Sequence, residues 1–156
     1  MAARTFRSPS FSADWTTKRE WQQAEMPAIN GHGNARSVAQ IQYALANKGV
    51  AANGYRLLSE KTTELIYTPY IEGKDLVLRT HCVYGMGYGI TGEHAPMSPN
   101  AKTAFWGGWG GSLVVVDAQA QLCISYVMNR MKPTLTGDTR GASIIRSTYA
   151  CLKNLK

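Results

Sequence analysis

No stretch of this 156-residue sequence is apolar for the length a transmembrane helix requires, no C-x-x-C pair occurs, and lysine and arginine never gather into a block. The first absence excludes a helical membrane anchor and gives the expectation of a soluble chain with no membrane partner. The second leaves three scattered cysteines, Cys82, Cys123 and Cys151, which suit neither a disulfide framework nor a zinc site. Cys123 lies in an apolar run and Cys151 in an amphipathic tail, so both are expected to be buried thiols in a reducing, cytoplasmic setting. The third argues against a nucleic-acid arm, so no nucleic-acid partner is expected. Histidine is equally sparse: His32, His81 and His94 have no carboxylate at ligand spacing, and no metal or other cofactor is expected.

Two catalytic signatures are missing as well. Ser112 follows two glycines but lacks the later glycine of a G-x-S-x-G elbow. The glycines of "GMGYG" and "GHGNAR" are wrongly placed for a dinucleotide fingerprint, which needs a strand running directly into a helix.

What is present suits one domain with a real core, since 44% of the residues are hydrophobic. Formal net charge is +7. The one uneven region follows Met128, where Arg130, Lys132, Arg140, Arg146, Lys153 and Lys156 face only Asp138; it reads as a solvated end face. The N-terminus "MAARTFRSPSFSADW" has the arginines and serines of a transit peptide, but Pro9 interrupts it and its amphipathicity is poor. Residues 1–14 are read as a loop or arm, and 15–156 as the domain.

Periodicity places a helix over residues 35–47, with Asn34 as cap, Val38, Ile41, Ala44 and Leu45 as its inner stripe and Gly49 as its stop. Ser59 caps a second helix that Pro69 closes. "VYGMGYGI" reads as a strand with Tyr84, Met86, Tyr88 and Ile90 on one face and glycines on the other. Residues 112–116 and 122–128 form a hairpin, and Ile145, Tyr149 and Leu152 mark a terminal helix. The predicted class is α+β with an antiparallel sheet.

Within that frame lies "FWGGWGGSLVVVD", residues 105–117. Glycine weakens a strand, so four of them mark a bend, a bulge or a backbone that something approaches. Taken by itself the segment is a glycine hinge with two core tryptophans. In order and spacing, however, "GHGNARS", "RLLSEKT", "YGMGYGI", "GGWGGS" and "YVMNRM" together resemble the C-terminal part of the serine β-lactamase-like family. The nearest likeness is to its esterase and transesterase branch, related to class C β-lactamases and penicillin-binding proteins.

The resemblance implies a β-lactamase/transpeptidase-like antiparallel sheet flanked by helices, incomplete here, and a small ester or amide as substrate. It places the family's Lys-Thr-Gly box, often Trp-Gly-Gly in the esterase branch, on Trp106, Gly107 and Gly108; "KTA" at residues 102–104 is a second register, less well spaced from the hairpin. A substrate lying along that strand would hydrogen-bond to its backbone, with N–H groups available to an oxyanion. Trp106 would wall an apolar pocket. The substrate-binding candidates are Trp106, Gly107, Gly108, Trp109 and, in the "GHGNAR" turn, His32. Alanine at Gly107 or Gly108 is then expected to block ligand while barely affecting folding, and alanine at Gly110 or Gly111 to destabilise the fold.

The family's nucleophile is the serine of Ser-x-x-Lys. None of the serines here has lysine three residues on, and Tyr-x-Asn and Tyr-x-Ser are absent too. Ser98–Pro99–Asn100 matches a Ser-x-Asn variant but reads as a proline turn. No catalytic residue is assigned. The expectation is a C-terminal half that is inactive alone and completed by a missing N-terminal half or by self-association, the alternative being a pseudoenzyme that keeps only a binding edge.

Overall fold

The computed structural model describes Arg7 and residues 12–155. After a 3-10 helix at Ala13–Thr17 come four α-helices: α1 (Arg19–Gln23), α2 (Ala35–Ala46), α3 (Glu60–Glu64) and α4 (Thr139–Lys153). Between α3 and α4 run six strands: β1 (Ile71–Lys74), β2 (His81–Tyr84), β3 (Gly89–Ile90), β4 (Thr103–Gly107), β5 (Leu113–Asp117) and β6 (Leu122–Tyr126). They form one antiparallel meander in chain order.

The caps explain the helix boundaries. Asn34 accepts from the Ser37 N–H at 2.9 Å while Ser37 Oγ accepts from the Asn34 N–H at 3.2 Å, a reciprocal pair that opens α2. Gly49 ends it at φ +85°, its N–H donating to the Ala44 carbonyl at 2.7 Å. A side chain there would enter the Leu58 carbonyl. Ala44 and Ala46 are buried, but Ile41 is 66% exposed and corrects the predicted stripe. It shares the outward side with Arg36 and Gln40. The Ser59 cap is present at 3.1 Å, yet α3 is a single turn that stops well short of Pro69.

Two helices cover the central strands. Leu113, Val115 and Ile124 pack with Ile145 and Tyr149 of α4 on one face. Val116, opposite Ala104 in the register, lies on the other, where α2 crosses β5 and β6. Cys123 is half-buried, and burial pushes its thiol up to about 11. Cys151, by contrast, is exposed on the side of α4 turned from the sheet, contrary to expectation.

Asp117 is fully buried, and among the described residues no cation pairs with it. Its Oδ1 accepts from the N–H groups of Gln119 and Ala120, closing the β5–β6 turn. Its Oδ2 accepts from Tyr149 Oη at 2.7 Å, Asn100 Nδ2 at 2.8 Å and Ser98 Oγ at 2.9 Å. The Ser98–Asn100 turn is thus a latch on this carboxylate. Burial pushes Asp117 up, but the bonds from Tyr149, Ala120, Asn100 and Ser98 prevail and hold it below the ordinary carboxylate range.

Candidate active site

The opening glycines have separate jobs. β4 runs through Gly107, and residues 108–112 turn the chain into β5, with Gly108 N–H donating to the Ser112 carbonyl at 2.9 Å. Gly110 and Gly111 have φ of +94° and +117°, as a bulged turn requires. The turn is anchored from outside: Arg140 Nη2 donates to the Gly110 carbonyl at 3.1 Å and Nη1 to the Arg130 carbonyl at 2.7 Å, while Arg140 pairs with Asp138 at 2.5 Å. Arg140 hydrogen bonds hold the Asp138 carboxyl down to about 2. Arg140, placed by sequence on a solvated face, is therefore a clamp.

Gly107 is buried, and a side chain on it would run into the Thr136 carbonyl carbon and lie 2.6 Å from the Gly137 nitrogen. Its bareness serves packing against the chain before α4, so the expectation that alanine here would spare folding is overturned. At Gly108 a side chain would meet only Ser112 Oγ, 2.5 Å from its Cβ.

The predicted continuous strand around "GMGYG" is also corrected. β2 ends at Tyr84, residues 85–88 turn, and β3 starts at Gly89 directly opposite Tyr84. Gly85 N–H donates to the Tyr88 carbonyl at 2.9 Å, and Gly87 takes φ +75°. A side chain on Gly85 would enter the Ile66 carbonyl. The G-x-G spacing inside an aromatic run was the signal for this turn, and alternation concealed it.

Because β3 is so short, its register with β4 ends at Phe105; Trp106 and Gly107 have strand partners on β5 alone. Beside Trp106 lies a notch of about 290 Å³ lined by Tyr84, Gly85, Gly87, Tyr88 and Trp106. Trp106 is 40% exposed, and its ring centroid is 5.8 Å from that of Tyr84. Tyr84 Oη donates to Asp75 Oδ2 at 2.9 Å, and Tyr88 Oη donates to Gln42 Oε1. Burial raises both phenols above their ordinary range, reinforced at Tyr84 by hydrogen bonding to Cys82 and Asp75.

Of the five substrate-binding candidates, only Trp106 lines this notch. Gly107 ends its strand, Gly108 opens the turn that follows, Trp109 is 44% exposed on that turn, and His32 is exposed in the loop ahead of α2. Lys102, head of the alternative "KTA" register, is committed at 2.6 Å to Glu64. Among the described residues no group of three or more His, Cys, Asp or Glu side chains is arranged to hold a metal.

An open strand end beside a glycine turn is a recurrent architecture, and comparison identifies which one. The family model described as Beta-lactamase matches residues 2–146. The chain belongs to the β-lactamase family. This β-lactamase-family chain is similar to the crystal structure of a family VIII carboxylesterase, at TM-score 0.89 and 32% identity, over 96% of its own length and 40% of that protein's. It is also similar to a penicillin-binding protein homolog from Caulobacter crescentus, at TM-score 0.80 and 31% identity, over 85% of its own length and 36% of the other's. A comparison with curated proteins gives no match. The fold is therefore part of the β-lactamase/transpeptidase-like architecture, and the chain spans well under half the length of either solved relative. Among the described residues no helix is long and apolar enough to cross a membrane.

Proposed function

We propose that this chain forms the substrate-edge portion of a serine hydrolase or transesterase acting on small esters or amides, and that it does not turn over substrate alone. The observation that carries the reading is the end of β4, where Trp106 and Gly107 run past the last β3 partner and the part-exposed Trp106 borders the aromatic notch, Gly107 being buried against residues 136–137. An acyl group can lie along that backbone as an added strand would. Gly108 keeps its N–H for Ser112, so that N–H is not free to serve an oxyanion. Trp109 and His32 are exposed but do not line the notch, and neither is given a contact with substrate.

The serine and lysine must come from a segment that this sequence does not contain. Outward apolar residues such as Ile41, Ile71 and Leu76 offer that segment, or a second copy of the chain, surface to cover. The absence of Ser-x-x-Lys also supports the second reading, a pseudoenzyme that retains only the binding edge.

Complementation separates the two. Co-expressing the chain with the Ser-x-x-Lys-bearing remainder of a carboxylesterase relative is expected to yield activated-ester turnover, reduced at least tenfold by Trp106→Ala. Turnover indifferent to Trp106, or none from a complex shown to assemble, would overturn the hydrolase reading and favour the pseudoenzyme.

A further inference from the structure

The notch beside Trp106 carries information about the kind of group it accepts. Three of its five lining residues present aromatic rings and two are glycines. Both tyrosine O–H donors are committed, Tyr84 to Asp75 and Tyr88 to Gln42, so neither can donate to a ligand. Among the described residues no charged side chain lines it. The nearest carboxylate along this network, Asp75, is engaged by the N–H groups of Val77 and Leu78, both at 2.8 Å, as well as by Tyr84. A ligand therefore meets ring faces and glycine backbone.

The geometry points to a neutral, flat aryl group as the occupant, held by stacking on Trp106 and Tyr84, with the glycine turn admitting its edge. This inference rests on the hydrolase reading for its substrate, an ester or amide of an aromatic acid, but not for its binding. Aromatic faces attract each other in offset or tilted arrangements, and the 5.8 Å, 54° Tyr84–Trp106 pair already has that form. Size limits the ligand: about 290 Å³ falls just below the ~300–1,000 Å³ usual for small-molecule sites, room for a single ring with its ester group. An anion would lose hydration without gaining a cationic partner. A cation would be drawn by the ring faces but opposed by the chain's formal charge of +7.

The test is titration of the purified chain, following the Trp106 indole N–H by NMR, with its peak assigned from Trp106→Phe. The probes are methyl benzoate, benzoate, phenyltrimethylammonium and methyl butanoate. Methyl benzoate is expected to shift the peak saturably and to bind at least fivefold tighter than the other three. Tyr84→Phe and Tyr88→Phe should stay within twofold of the parent, whereas Tyr84→Leu should weaken binding at least fivefold. Equal or tighter binding of any charged or alkyl probe, loss of binding in either phenylalanine variant, or no shift with any probe would overturn the inference. Aryl binding as expected alongside complemented turnover indifferent to Trp106 would sink the hydrolase reading and leave this one standing. Trp106-dependent turnover with no aryl preference would do the reverse.

Discussion

Alanine at Gly107 is expected to destabilise the fold by about 3 kcal/mol, the upper end of what overpacking normally costs, while alanine at Gly108 costs less than about 1 kcal/mol. The difference lies in what each new methyl meets. At Gly107 it meets backbone, the Thr136–Gly137 peptide, rather than the far end of a flexible side chain. At Gly108 it meets the tip of one serine side chain, and Ser112→Ala in the same chain should restore most of any loss. Gly110→Ala and Gly111→Ala should both destabilise as well, because positive φ strains an L-residue. At Gly111 the methyl would also enter the Asp138 carboxylate and disturb its pairing with Arg140. Urea midpoints of the four variants check this ranking. Equal, small losses at Gly107 and Gly108 would return Gly107 to the role of a purely ligand-facing glycine.

Removing the buried carboxylate should be harsher still. Asp117→Ala strands the hydroxyls of Tyr149 and Ser98, the amide of Asn100 and two backbone N–H groups. Each buried donor left unpaired costs about 1–3 kcal/mol, so a loss of at least about 4 kcal/mol is expected even if water reaches some of them. Asp117→Asn keeps the shape and should lose less. The folded state holds Asp117 below its ordinary value, so its contribution is complete above the unfolded carboxylate pKa, about 3.9, and is lost as pH falls through the lower folded value. Acid melting curves should therefore fall less steeply in Asp117→Asn than in the parent. An unchanged acid slope would mean that other carboxylates set it.

The parts of the fold written in local chemistry were readable from sequence. Asn34, Ser59 and the stripe of Ile145, Tyr149 and Leu152 fix their helices through bonds and spacings spanning a few residues. The β5–β6 hairpin followed from its β-branched runs and the turn between them. What stayed hidden depends on distant partners. β1 is an exposed edge strand of sequence Ile-Glu-Gly-Lys with no apolar alternation, and it exists because β2 folds back on it. Ile41 has helical spacing but no partner on its side, and the packing role of Gly107 requires knowing that residues 136–137 cross it. The candidate site was legible at Trp106 through a family resemblance. Tyr84 and Tyr88 join it only because "GMGYG" is a turn, which an alternating pattern disguises.

The central claim, that this chain supplies a substrate edge and receives its nucleophile from elsewhere, is tested most directly by exposing it to a fluorophosphonate and measuring intact mass. The chain alone should show no adduct, and in the complemented complex a single adduct should fall on the added segment's serine. A stoichiometric adduct on any serine of this chain, accompanied by ester turnover that Trp106→Ala abolishes, would contradict the account.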